Sequence, residues 1–374
     1  MPKSITADEL KQRMDSDEGA VILDVRASGA YDEWRIQGAK VQSVNIQNSK
    51  LQQYGVKHFT QIPKEREVVT VCAKGIAAQE AAQMLAAEGY QAVFLEGGMG
   101  AWSEFYEPVR VVESEKLTIY QMMRLAKGCL SYFVVSGDAA IVIDAGRHID
   151  RYINFAKRKG LRIQYVFDTH LHADHISGGV ELAKAVGADY FIAPPEAEGA
   201  TFSYTPLEDG MSISFGDSTV KVISLRTPGH TLASTCFLVD DQYLLSGDTL
   251  FVSGLGRSDL KGRAREMAQK MFETVRTTIA HLPDDLMVLP GHYSDFREIN
   301  QNGFVGETLR DIRAENPMLH MTDESQFVEM AVGNVGVTPP NHETIIAINR
   351  GQLTPSPVEE SELEIGPNRC AVKH

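Results

Sequence analysis

Short apolar runs alternate with amphipathic stretches throughout the chain, but the pattern changes partway along. In the first part, VILDV (21–25) and EVVTVC (67–72) are short, apolar and rich in β-branched residues, which predicts buried strands. Thr6 and Glu9 have the spacing of a capping box that opens a helix. AAQEAAQMLAAEG (77–89) predicts an alanine-rich helix stopped by Gly89, and AVFL (92–95) a further strand. Strand, helix and strand in that order predict a parallel α/β sheet. EFYEPVRVVESEK (104–116) mixes charge with a proline, shows no core pattern, and reads as a boundary. From Leu117 the pattern turns to strand pairs, with SYFVV and AIVID joined across Gly137-Asp138, a hairpin signal. Further strands, YVFDT, YFIA, VKVISL, YLLSG and LMVLP, are interleaved with helices such as 264–281. The end, TPSPVEESELEIGPNRC, is rich in proline and glutamate and reads as loosely held. The expected organisation is a domain over 1–107, a linker over 108–116, a domain over 117–350 and a tail over 351–374.

Composition narrows the function classes. With 43% hydrophobic and 23% charged residues over 374 positions, the chain is globular rather than disordered. Lys+Arg 36 against Asp+Glu 50 leaves a net charge of −14, which repels phosphate backbones and argues against a nucleic-acid partner. Four cysteines are too few for a disulfide framework and point to a reducing compartment. No apolar run is long enough to span a membrane, so a cytoplasmic protein without a membrane partner is expected.

Cys72 closes an apolar strand and is followed by AKGIAA, which leads into a helix. Backbone N–H groups at such a turn favour a thiolate, whereas the plain alternative is a buried core cysteine. LDVRASGAYDEWRIQGA (23–39) and EGGMGAW (96–102) flank it, and together these strings resemble a rhodanese domain over about residues 4–107. The resemblance implies an α/β fold, a parallel sheet with flanking helices, and makes Cys72 a sulfur carrier that exchanges sulfur with thiosulfate or sulfite. Ala77 stands where single-domain rhodaneses often carry an arginine, which removes a guanidinium partner for an anion; Lys74 compensates only in part.

The second part holds a different chemistry. THLHADH places His170, His172, Asp174 and His175 directly after YVFDT; His230, Asp248 and His292 also follow apolar runs. Strand ends side by side would open all these loops on one rim, where α/β folds place their sites. Lone histidines are more often structural, which is the reading for His58, His148, His281, His320 and His342. Cys129 and Cys236 read as core, and Cys370 as a free surface thiol. The pattern of seven resembles the metallo-β-lactamase fold, an αββα sandwich, over about 117–350.

That resemblance implies two metal readings. In the first, like glyoxalase II, all seven residues hold two Zn(II) ions for thioester hydrolysis. In the second, His170, His230 and Asp248 hold one Fe(II) per chain, and His172, Asp174, His175 and His292 lie behind them. YQMMRLAKGCLSYFVV (120–135), DAGRHIDRYINFAKRKG (144–160) and DTLFVSGLGRSDL (248–260) resemble bacterial persulfide dioxygenases and favour the second. Arg257, followed by Ser258-Asp259 rather than an aromatic pair, is a candidate to orient substrate or Asp248. The two domains share substrates: a rhodanese moves sulfane sulfur, and a persulfide dioxygenase consumes it with dioxygen. The expected partners are a small thiol persulfide, dioxygen, and thiosulfate or sulfite. A homo-oligomer is compatible with the sequence. A third reading is a persulfide-binding or sensing protein whose rhodanese half docks persulfidated partners.

Overall fold

A computed structural model describes residues 2–216, 221–258, 263–333 and 341–367; Asp259 and Cys370 lie outside them. The described residues divide into two compact units, one running up to Phe105 with Arg124–Lys127 and Ile365–Pro367, the other Tyr106–Met123 with Gly128–Glu364.

The first unit is built on strands β1 (Lys3–Ile5), β2 (Ala20–Asp24), β3 (Val41–Asn45), β4 (Val68–Val71) and β5 (Ala92–Leu95), in the order β1-β5-β4-β2-β3. Every pairing is parallel, as the strand–helix–strand alternation requires. Both faces are covered: Ile22, Val69, Val71 and Trp102 pack on one side, and Leu23, Val68, Ala81 and Leu85 on the other. Thr6 and Glu9 form the expected capping box. Strand β1, only three residues long, escapes the hydrophobic pattern because only Ile5 is buried.

The second unit contains two mixed sheets. The first comprises β6 (Glu107–Glu113), β7 (Thr118–Arg124), β8 (Cys129–Ser136), β9 (Ala139–Ile143), β10 (Arg162–Phe167), β11 (Asp189–Ile192) and β12 (Thr205–Pro206). The second comprises β13 (Ser212–Ser214), β14 (Lys221–Arg226), β15 (Thr235–Val239), β16 (Tyr243–Gly247), β17 (Met287–Pro290) and β18 (Glu307–Thr308). Alternation along β9 and β10 sets the layers. Val142 and Val166 face the helices Ile149–Lys159 and Gly179–Val186, meeting Tyr152, Phe155, Ala156 and Leu182 at helical spacing. Phe167 turns the other way and meets Phe237 of β15 at 5.3 Å between ring centroids. Complete burial of a side chain such as Phe237 contributes roughly 1.5–3 kcal/mol. Outside the second sheet, Met271, Val275, Leu309 and Phe327 of three further helices pack on Leu244 and Val288. The result is helix, sheet, sheet, helix, the expected αββα sandwich.

Two expectations are corrected. Residues 108–116, read as a linker, are largely strand β6, paired antiparallel with β7. As an edge strand it alternates exposed and half-buried positions, so its charges face outward and hide the strand pattern. The described part of the tail, up to residue 367, is not loose: Ser356 caps a helix Pro357–Leu363, and Glu364 is 1% exposed.

Candidate functional site

The ends of β9, β10, β14, β16 and β17 carry the chemistry. β9 and β10 are parallel, as are β16 and β17. β14 runs the same way as β16 because the antiparallel β15 lies between them. The loops that follow these strands deliver Asp144, His170 to His175, His230, Asp248 and His292.

Among the described residues these side chains form three buried groups of possible metal ligands: His170, His230 and Asp248; Asp174, His175 and His292 together with Cys129; and His172 with Asp144 and Asp168. In the first group, Asp248 Oδ2 lies 3.5 Å from His230 Nε2 and 3.9 Å from His170 Nε2. His170 Nε2 and Asp248 Oδ2 are buried without a hydrogen-bond partner. Leaving such atoms unpaired costs about 1–3 kcal/mol each, so their convergence fits a bound cation.

The other ring nitrogen of each histidine is committed. Thr169 Oγ1 lies 3.0 Å from Asp144 Oδ2 and 2.9 Å from His170 Nδ1. Its one proton goes to the carboxylate, so it accepts from Nδ1–H and leaves the Nε2 lone pair free. His230 Nδ1–H donates to the Arg257 carbonyl at 2.9 Å, with the same consequence. Burial and the neighbouring His172 hold His170 well below the ordinary histidine range, in the neutral form that ligates metal. Burial alone would raise Asp248, but His292 outweighs it and keeps the carboxylate ionised. His292 Nδ1–H donates to Asp248 Oδ1 at 2.6 Å. Despite burial, Asp248 and Asp174 hold His292 well above its usual range, so the site draws positive charge.

Asp144, a residue the sequence reading passed over, adopts φ +55, a conformation worth about 1–3 kcal/mol of strain for a side-chain-bearing residue. It accepts from the Thr169 backbone N–H at 2.7 Å and lies 3.2 Å from His172 Nε2. Gly256 is required for close approach, since a Cβ there would meet the Asp248 carbonyl oxygen at 1.7 Å.

Distant residues hold the loops. Glu196, 5% exposed, accepts from Leu171 N at 3.1 Å and Ala233 N at 2.7 Å, tying the His170 loop to the His230 loop. Asn349 Nδ2 donates to the carbonyls of His172 and His175, both at 2.9 Å, and its Oδ1 accepts from Ser177 N. Glu364 accepts from Ile176 N at 2.7 Å and from Arg147 Nε at 2.6 Å. Arg257 is buried and enters the site through its carbonyl.

In the first unit, Cys72 follows β4 and precedes the helix Ile76–Ala87; it is buried, and Gly75 N–H donates to its Sγ at 3.1 Å. Gly98 permits this turn, because a Cβ there would meet the Cys72 carbonyl oxygen at 2.1 Å. Lys74 is exposed. Asp24 and Arg26 are paired at 2.6 Å, and Arg26 also donates to the Trp34 carbonyl, a structural use of that motif.

Comparison with known proteins agrees with this architecture. The metallo-beta-lactamase superfamily model matches residues 125–292, and the rhodanese-like domain model matches residues 6–105. The chain is 30% identical to the mitochondrial persulfide dioxygenase ETHE1 of Homo sapiens over 207 residues, 55% of this chain and 75% of that protein. It is 37% identical to a hydroxyacylglutathione hydrolase of Rhizobium etli over 138 residues, 37% of this chain and 51% of that enzyme. Among solved structures, a metallo-beta-lactamase from Staphylococcus aureus superposes with a TM-score of 0.58 at 25% identity, covering 64% of this chain and 74% of that one. No helix among the described residues is long and apolar enough to cross a membrane. The buried ligand groups at the strand ends and both family matches lead to one assignment: the chain belongs to the metallo-beta-lactamase superfamily, with a rhodanese-like domain preceding that fold.

Proposed function

We propose that the second unit is a persulfide dioxygenase acting on a low-molecular-weight thiol persulfide, and that the rhodanese-like domain carries sulfane sulfur on Cys72. The reaction is RSSH + O2 + H2O → RSH + SO3²⁻ + 2 H⁺. The carrying observation is the face formed by His170, His230 and Asp248, with Oδ2 of the aspartate 3.5 and 3.9 Å from the two ring nitrogens. Two histidines and one carboxylate are the ligand set of non-haem iron oxygenases; a ferrous ion held by these three residues would supply the dioxygen chemistry that oxidises the terminal sulfur. The chain's own groups prepare that face. Thr169 and the Arg257 carbonyl set the histidine tautomers, and His292 orients Asp248. Glu196 and Asn349 hold the loops in register, while burial of all three ligands keeps bulk water away. The Arg257 guanidinium, buried on the loop that anchors His230, is the candidate for orienting an anionic persulfide.

The similarity to the human persulfide dioxygenase supports this reading, as does the rhodanese-like partner, which shares sulfane sulfur as substrate. In that domain Cys72–S⁻ attacks thiosulfate, forms the S–S bond of a persulfide and releases sulfite; Gly75 N–H is directed at the sulfur. The similarity to a hydroxyacylglutathione hydrolase supports a di-zinc thioesterase as the competing reading.

Metal content and oxygen uptake of anaerobically purified protein separate them. The proposal expects about one iron per chain and oxygen uptake with a persulfide, both lost in Asp248→Ala. Protein that holds two zinc ions, hydrolyses S-lactoylglutathione and takes up no oxygen would overturn it.

A further inference from the structure

The strand end that carries His292 is tied to both sheets of the second unit. Gly291 N–H donates to the Gly247 carbonyl of β16 at 2.8 Å, next to Asp248, and the Gly291 carbonyl accepts from Leu130 N–H of β8 at 2.8 Å. The fit is close, since a Cβ on Gly291 would meet Asp248 Oδ1 at 2.7 Å. Pro290 has no N–H, and its carbonyl accepts from the Tyr132 hydroxyl at 2.6 Å. Tyr132 belongs to β8 and Pro290 ends β17, so this bond also crosses from sheet to sheet. Behind Tyr132 stands Gln121 of β7, completely buried. Its Oε1 accepts from Val305 N–H at 2.9 Å, which fixes the orientation of the amide. Its Nε2 then donates to the Val305 carbonyl at 2.8 Å and to the Tyr132 hydroxyl oxygen at 2.9 Å. A carbonyl can only accept, so the single hydroxyl proton goes to Pro290 and a lone pair takes the glutamine N–H. Both amide protons and the hydroxyl proton are used. Burying such groups costs desolvation that an apolar core avoids, and a fully satisfied network returns one fixed arrangement.

We propose that Gln121 and Tyr132 are positioning residues for the face of His170, His230 and Asp248. Through the Pro290 carbonyl they set the strand end, and through the 2.6 Å bond from His292 Nδ1–H they set the Asp248 carboxylate. Asp248 Oδ2 must converge with the Nε2 atoms of His170 and His230, and such constellations work only when held within about 0.5 Å of the productive geometry. Without the Tyr132 hydroxyl, the Pro290 carbonyl and one glutamine N–H are left buried and unpaired, so the strand end shifts to relieve them. The inference deepens the persulfide reading and rests on it for catalytic rates alone, because the position of Asp248 matters to any ion held there.

Cobalt(II) reports ligand geometry through its visible absorption bands, independently of activity. Full-length apoprotein, prepared by chelation under reducing anaerobic conditions, is loaded with cobalt(II) or, for kinetics, with iron. Tyr132→Phe should retain as much cobalt as the wild type but shift the visible bands. With iron its kcat for oxygen uptake, per bound ion, should fall about tenfold, the low end for losing a group behind a metal ligand, while KM for the persulfide stays within about twofold. Phe133→Leu is the control for stability alone, because Phe133 packs on the helix side against Tyr152 and Phe155. It should lower the melting temperature and leave the bands and kcat as they are. Unchanged bands and kcat in Tyr132→Phe, or equal changes in Phe133→Leu, overturn the proposal. If Tyr132→Phe does not fold, as judged by circular dichroism, Gln121→Met decides: shifted bands are expected, and wild-type bands overturn it. Hydrogen exchange on the wild type needs no variant. The Gly291 and Val305 amides should exchange with the slowest class, and exchange as fast as in exposed loops overturns the proposal. Wild-type protein that takes up no oxygen sinks the dioxygenase reading, while the cobalt bands still judge the network.

Discussion

Thr169 shows how much one hydroxyl decides. Its Oγ1 sits between Asp144 and the Nδ1 of His170, so it both fixes the tautomer and couples a candidate ligand to a buried carboxylate. Removing such a partner behind a metal ligand typically costs about 10–100-fold in affinity or activity. Thr169→Val keeps the volume and removes the relay. The expected outcome is about 10–100-fold weaker metal binding, by titration against a competing chelator, with little change in secondary structure. Unchanged affinity would mean that the His170 ring is held by packing alone. Cys129 teaches the opposite lesson. Every residue of β8 is buried, so no alternation marks which side chains face the core and which face the site. A cysteine there reads as core from sequence; it is buried as expected, and only the structure shows that Asp174, His175 and His292 lie beside it.

At the scale of elements, the C-terminal helices act as clamps on the metal-bearing loop. Asn349 ends the helix His342–Asn349 and satisfies two carbonyls of that loop; Glu364, just beyond the helix Pro357–Leu363, takes the Ile176 N–H and Arg147. Breaking a buried ion pair by truncating one partner costs on the order of 3–5 kcal/mol. Arg147 also contacts Glu360 and Ser361, which places Glu364→Ala toward the lower end. At roughly 2–4 °C per kcal/mol for a unit of this size, the melting temperature should fall by roughly 6–12 °C. Calorimetry checks the shift, and the variant should also release metal to a chelator faster. A normal melting temperature with normal metal release would show that the loop holds itself.

At the scale of the whole molecule, two units have separate cores, and the proposed function gives each a reaction of its own. Cys72→Ser should abolish sulfur transfer from thiosulfate to cyanide, while oxygen uptake with an added persulfide continues at the second unit. Mass spectrometry of the wild type after thiosulfate treatment should find one added sulfur on Cys72. Sulfur on Cys129 or Cys236 instead, or loss of oxygen uptake in Cys72→Ser, would contradict the division of labour.

Local patterns in the sequence were enough to define both fold classes and the seven strand-end residues, because burial imposes its period on neighbouring positions and a strand end followed by histidine or aspartate is visible within a few residues. They could not reveal β6, whose outward charges mask its pairing, or the C-terminal clamps, whose partners lie up to 217 residues away. Nor could they divide the ligands. His172 follows His170 by two residues, yet the structure groups it with Asp144 and Asp168, while His170 joins His230 and Asp248 from the other sheet. Which imidazole faces which carboxylate depends on how the two sheets meet, and that register is set by packing across the sandwich rather than by the order of residues along the chain.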